Sequence, residues 1–298
     1  MTQAALPVPG QDTPKARPGR RFSWAWLGLV PFLAFAIAFL IIPTFYLVNG
    51  SFHNEAGQTT LQNYADLSQP TIVEAFRASI EISLVTAIVG GVFGFLLAYA
   101  VIRGGLPRVL GDALMTFSGV ASNFAGVPLA LAFTFTLGTT GLVTVILKSI
   151  GLDLNKSDFT IISKLGLEIA YLYFQFPLMV LIMAPAIAGL KTEWREASEN
   201  MGASTAQYWR YIALPVLLPS LLGTILLLFG NAFGAQATAY TLTGEINIVT
   251  LLVTRQINGD VLNNINLGYA VAMGMVAVMG VTILAYLWLQ RRAARWQR

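Results

Sequence analysis

Six runs of mainly apolar residues, each long enough to cross a bilayer, limit the fold of this chain more than any other feature. About 20 such residues in a helix cover the roughly 30 Å of hydrocarbon in a membrane. The runs are Trp26 to Val48, Ile82 to Ile102, Ala113 to Leu137, Leu165 to Leu190, Val216 to Tyr240 and Leu267 to Leu289. Backbone in lipid must satisfy its own hydrogen bonds, so such runs are read as helices. The expected fold is an all-α membrane protein with six transmembrane helices in one domain, residues 26–290. Charged residues make up only 11% of the chain, against about 25% in soluble domains. No soluble core could absorb that deficit. Pro43, Pro128 and Pro177 lie near or inside the runs and predict kinks.

The basic residues are sided. Of the 18 Lys and Arg, Lys15, Arg17, Arg20, Arg21, Arg103, Arg108, Lys191, Arg195, Arg210, Arg291, Arg292, Arg295 and Arg298 fall at the termini or in the even-numbered loops. Arg77, Lys148, Lys156, Lys164 and Arg255 fall in or beside the odd-numbered ones. The excess of basic residues predicts that both termini and the even loops are cytoplasmic. The net charge of +4 is thus explained by topology, without nucleic acid. Residues 1–25, rich in Pro and Gly and ending near "GRR", read as a disordered basic tail beside anionic lipid, and 291–298 as a second basic tail. The first apolar run is too long for a signal peptide and lacks a small-residue cleavage site. With no cysteine, disulfide and thiolate chemistry are excluded. In the loop 138–164, "TTGLVTVILKSIGL" is apolar but too short to span, and is expected either to lie in the interface or to fold back as a short helix.

Between the fourth and fifth runs lies "EWREASENMGASTAQYWRYIALP", residues 193–215, within a loop spanning 191–215. Thr192 is placed to cap a first helix, Gly202 to end it with positive φ, and Ser204 with Gln207 to form a capping box for a second. The expected result is helix, bend, helix, with the chain turning back into the membrane at Pro215. Trp194, Ala197 and Met201 recur at helical spacing and form an apolar face with little of the chain to cover it, which suggests docking.

Glu196, Ala197, Gly202, Ile212, Leu214 and Pro215 match in place the EAA signature, EAA-x3-G-x9-I-x-L-P. The chain thereby resembles the membrane subunits of binding-protein-dependent ABC importers of the type I fold; Ser198 replaces the usual alanine, a small-for-small departure. The resemblance implies that this loop inserts into a cytoplasmic ATPase dimer. It also implies a second six-helix permease subunit, identical or related, an extracytoplasmic binding protein, and residence in a bacterial-type cytoplasmic membrane. No phosphate-binding G-x-x-x-x-G-K-[ST] motif occurs, nor G-x-S-x-G, H-E-x-x-H or CxxC. The chain is therefore expected to be a transporter subunit with no cofactor of its own, ATP being used by its partner.

Polar residues inside the runs are the candidates for a translocation path. Glu168, Tyr171 and Gln175 share one helical face; Asn231 and Thr238 share another, with Gln236 beside them; Asn123 follows Ser118 and Ser122. Glu168 lies near the outer boundary, where an interfacial position or pairing with Lys164 is the competing assignment. Gly90 with Gly94, and Gly230 with Gly234, fit close helix packing. The stretch "SNFAGVPLALAFTFTLGTTGLVT" resembles permeases grouped with spermidine and putrescine importers, near ferric, sulfate and phosphonate systems. Glu81, Glu168, Tyr171 and Tyr173 would suit an organic cation. A self-contained ion-coupled carrier is the alternative, but no internal repeat is visible.

Overall fold

The computed structural model describes residues 28–154, 159–244, 246–258 and 264–294. The tail expected at 1–25, the start of the first span at Trp26, and residues 295–298 of the second tail lie outside them. The chain divides into two units, Met1–Tyr46 and Leu47–Arg298. All regular elements among the described residues are helices, and six helical stretches are long and apolar enough to cross a membrane: Val30–Ser51, Pro70–Arg103, Val127–Ser149, Lys164–Ala188, Thr205–Phe233 and Ile265–Arg291.

Helix α1, Val30–Ser51, exposes Phe32, Phe35, Phe39 and Phe45. Its turn Ile37–Ile41 is a π-turn, with Ile42 N–H bonded to Ile37 O, directly before Pro43. In a regular helix the proline ring would crowd the Phe39 carbonyl and leave it unbonded. A wider turn relieves that crowding, so the expected kink is realised as a bulge.

Helix α2 (Gln62–Asp66) belongs to the loop after α1, which Asn63 organises by donating to Ser51 O at 3.0 Å and His53 O at 2.8 Å. Helix α3 (Pro70–Arg103) is 34 residues long, starting twelve residues before the expected Ile82. Pro70 opens it, where the missing N–H has no helical partner to lose. Then follow α4 (Arg108–Ala121), α5 (Val127–Leu137), α6 (Leu142–Ser149), α7 (Lys164–Ala188), α8 (Thr192–Asn200), α9 (Thr205–Phe233), α10 (Gln236–Leu242), α11 (Val249–Asn258) and α12 (Ile265–Ala294). Helix α6 is the short helix expected from "TTGLVTVILKSIGL", and α7 is continuous through Pro177 and Pro185.

Apolar burial gives little drive between helices in lipid, so close fit and small residues must hold them together. The centre of the main unit follows that rule. A Cβ on Gly90 would stand 2.8 Å from Gln175 Cβ, and one on Gly94 2.6 Å from Met179 Cβ, so this face of α3 lies directly on α7. Gly91, between them, meets Ile225 of α9 at 2.7 Å. Helix α3 is thus wedged between α7 and α9, with Met179, Val180, Met183, Ile187 and Leu217 fully or almost fully buried around it. Gly230 fits against Met279 of α12, whereas Gly234 meets no neighbouring helix and marks the end of α9.

Two expected spans are broken. The third is expected as one helix from Ala113 to Leu137, but α4 stops at Ala121 and α5 begins at Val127. Gly126, at φ 73°, turns the chain, and Pro128 begins the new helix rather than kinking an old one. The fifth is expected over Val216 to Tyr240; α9 ends at Phe233 and α10 starts at Gln236. The sixth runs on to Ala294, into the residues expected as a tail.

Candidate functional site: the helix–bend–helix loop and the polar span positions

The loop between α7 and α9 is built by local hydrogen bonding. Helix α8 is capped at Lys191 without a side-chain bond, so Thr192 is already helical and is not the expected cap. Glu193 in the first turn complements the helix dipole. At the other end, Gly202 N–H bonds Glu199 O and Ala203 N–H bonds Ser198 O, both at 2.9 Å. With Gly202 at φ 78°, this is a Schellman ending, which requires a left-handed residue at that place. Ser204 then accepts from Gln207 N–H at 3.3 Å while Gln207 Oε1 accepts from Ser204 N–H at 2.7 Å. The expected bend and capping box are both present.

Beyond the capping box the chain does not turn at Pro215. The turn Trp209–Ala213 is a π-turn, with Leu214 N–H bonded to Trp209 O, and α9 continues to Phe233. The bulge again stands immediately before a proline, as in α1, and spares Tyr211 O the same crowding. Ile212 is half-buried against the core, Ala213 fully buried, and Leu214 and Pro215 exposed.

On α8, Glu196 and Ala197 are exposed, as is Met201 just beyond it, and Trp194 is exposed at 36% with Lys191 stacked 5.8 Å from its ring. Ser198 is the one residue of α8 turned inward, 2% exposed, and its hydroxyl donates to Arg195 O at 2.7 Å. The position departing from the signature is therefore a packing position, where small size matters and the hydroxyl satisfies itself. Arg195 pairs with Glu199 at 2.8 Å; that hydrogen bond pushes the guanidinium pKa up. Both side chains are about half exposed, so the pair adds little stability.

By sequence, Arg103 serves only to orient the chain. Its guanidinium, at the end of α3, donates to Ile187 O at 3.4 Å, Ala188 O at 3.5 Å and, most closely, Leu190 O. One helical turn earlier, Tyr99 meets Trp209 edge-on with centroids 4.9 Å apart. No local pattern in the sequence signals either contact.

The polar span residues take different positions. Tyr171, 2% exposed, donates to Ala235 O at 2.5 Å, and Gln175, fully buried, donates to Leu228 O at 3.0 Å. Both fasten α7 to α9 and its end. Glu168, on the same helix, is half-buried. Lys164 pairs with Glu81 at 2.5 Å, joining α7 to α3, and not with Glu168. Asn231 is exposed on α9 while Thr238 is buried on α10, so the break at Gly234 and Ala235 removes the face they were expected to share. Gln236 is exposed and donates to Thr254 at 2.5 Å; Asn123 is exposed at the end of α4 and donates to Gly119 O at 2.9 Å. Thr238 accepts from Gly126 N–H at 2.8 Å, which brings the two helix breaks together.

Six apolar helical stretches and a bent polar loop between the fourth and fifth define a multi-pass transport subunit of the type I ABC importer permease fold. Two solved structures share that fold. A bacterial ABC transporter importing the acidic polysaccharide alginate matches with TM-score 0.68 and 18% identity over 91% of this chain and 95% of that one. The methionine ABC transporter MetNI in an inward-facing form matches with TM-score 0.51 and 18% identity over 76% and 99%. The chain belongs to the family described as "Binding-protein-dependent transport system inner membrane component", whose model matches residues 30–297. It is accordingly a transporter membrane subunit, with ATP hydrolysis on a separate subunit. Among its relatives, the sulfate transport system permease protein CysT of Salmonella typhimurium is 28% identical over 74% of this chain and 75% of its own length. A probable sulfate transport system permease protein of Nephroselmis olivacea is 25% identical over 78% and 77%. These relatives lend no support to the expected likeness to spermidine and putrescine permeases, and family membership lends none to an ion-coupled carrier.

Proposed function

We propose that this chain is a permease subunit of an ATP-driven importer for sulfate or a closely similar oxyanion. The observation that carries the coupling role is the loop 191–215: a Schellman ending at Gly202 and a capping box at Ser204 make a fixed bend, with Glu196, Ala197 and Met201 exposed for a partner. The loop and both termini lie on the cytoplasmic side, in keeping with the excess of basic residues there. A cytoplasmic ATPase dimer grips the loop, a second six-helix subunit completes the pore, and an extracytoplasmic binding protein delivers the solute. Exposed polar residues on apolar helices are costly against lipid, so Asn123, Asn231 and Gln236 face the passage or the second subunit, with Glu168 at its outer margin. Tyr171 and Gln175 shape that passage from behind, through the backbone they hold. The sulfate assignment rests on the sulfate permease relatives.

The test is uptake by proteoliposomes holding this chain with its ATPase, second permease subunit and binding protein. ATP-dependent accumulation of radiolabelled sulfate, uncompeted by spermidine, is the expected result. Uptake that proceeds without ATP, driven by an ion gradient, would overturn the importer reading; ATP-driven uptake of spermidine in place of sulfate would overturn the cargo alone.

A further inference from the structure

We infer that Arg103 and Tyr99 are positioning residues that tie α3 to both ends of the helix–bend–helix loop, so that movement of the loop is delivered to α3. The inference rests on the coupling role proposed for that loop. Arg103 holds its entry, by donating to the carbonyls of Ile187, Ala188 and Leu190. Tyr99 holds its exit, through the edge-on contact with Trp209. The two residues are four apart and therefore sit on one face of one helical turn. Entry and exit are thus fastened to the same short piece of α3, and the loop cannot shift as a body without pulling on it.

Chemistry favours this arrangement at the entry. The last carbonyls of α7 carry the negative end of its dipole, and Ile187 O also accepts from Leu190 N–H at 3.2 Å. All three bonds leave one nitrogen of the guanidinium, Nη2, which the planar group holds in a fixed orientation, unlike the end of a flexible lysine stem. Arg103 is largely exposed, so its charge contributes direction more than stability. At the exit, an edge-on aromatic pair keeps a preferred geometry that an aliphatic contact lacks. From that turn the path into the membrane is stiff: α3 meets α7 at Gly90 and Gly94, and α9 at Gly91, without slack.

The test compares the reconstituted importer, complete with ATPase, second permease subunit and binding protein, carrying Arg103→Gln, Arg103→Lys, Tyr99→Leu, Tyr99→Phe or Gly202→Asp. The quantity read is solute moved per ATP hydrolysed, alongside ATPase co-purification and melting temperature. Arg103→Gln and Tyr99→Leu are expected to lower the ratio about tenfold, within the range found for positions on a coupling route. Arg103→Lys falls between, Tyr99→Phe keeps the ring and stays normal, and hydrolysis and assembly persist in all four variants of Arg103 and Tyr99. A merely structural role would lower melting temperature or yield and leave the ratio unchanged. That outcome for Arg103→Lys and Tyr99→Leu, with Gly202→Asp inactive, overturns the inference; should Arg103→Gln not assemble, these two variants decide it. Full transport by Gly202→Asp would instead bring down the coupling role of the loop itself.

Discussion

The hydroxyl of Thr238 accepts the backbone N–H of Gly126 at 2.8 Å, across 112 residues of sequence. This bond joins the bend between α4 and α5 to the first turn of α10, and both bends occur where an unbroken span is expected. The freed N–H of Gly126 would otherwise lack a partner in a largely apolar setting. Thr238→Val removes the acceptor at nearly constant shape and is expected to destabilise by about 1–3 kcal/mol. Thermal unfolding in detergent checks this, and Thr238→Ser should recover most of the loss.

Packing of α3 gives a second, sterically sharp expectation. A Cβ at Gly94 would stand 2.6 Å from Met179 Cβ and 3.1 Å from the Phe176 carbonyl, while one at Gly111 would meet nothing within 4 Å. Gly94→Ala should therefore cost about 1–3 kcal/mol through overpacking. Gly111→Ala should be neutral or stabilise by up to about 1 kcal/mol, because alanine favours the helix. The difference in melting temperature between the two variants is the measurement; equal values would contradict the packing described for α3.

Gly202 separates backbone strain from partner contact. Its φ is 78° and a Cβ there would meet nothing within 4 Å in this chain. Valine resists that backbone, whereas aspartate adopts it with less strain. Gly202→Val should disorder the bend, visible as a loss of local hydrogen-exchange protection. Gly202→Asp and Glu196→Lys should leave the fold and membrane insertion intact yet abolish ATP-driven uptake, because their effect falls on the ATPase contact. Normal uptake with either would count heavily against that contact.

The buried Ser198 makes a graded prediction. Ser198→Ala loses only a hydrogen bond to Arg195 O on its own helix and should keep full uptake, with stability changed by about 1 kcal/mol or less. Ser198→Phe forces a large ring beneath α8 and should cost about 1–3 kcal/mol and most of the uptake. Parallel measurement of melting temperature and transport distinguishes the two.

Features set by neighbouring residues were legible in the sequence. Helical spans follow from long apolar runs, and the Gly202 ending and Ser204–Gln207 box need only residues within one or two turns. Features that depend on distant partners were not. The breaks at Gly126 and at Gly234–Ala235 lie in runs long enough to read as single spans despite their glycines and polar residues, and each is stabilised by a contact more than a hundred residues or a whole helix away. The shared face of Asn231 and Thr238 failed for that reason. Lys164 pairs with Glu81 and not with the nearer Glu168 because α3 packs against α7, a contact that spacing along the chain does not signal. Arg103 looked like a topological charge because nothing local points to the end of α7. On α7, Tyr171 and Gln175 turn their side of the helix to α9 and its end.

The π-turn at Trp209–Ala213 has a consequence for torque. Pro215 is absorbed into a continuous helix of 29 residues, about 43 Å at 1.5 Å per residue, whose bending points are the π-turn and the interior Pro219. Twist applied at one end must emerge at the other. The five-residue turn also sets the angular phase between them, since one residue corresponds to about 100° of rotation. Deleting a single residue within it would leave the rod intact and point its two ends in the wrong relative direction.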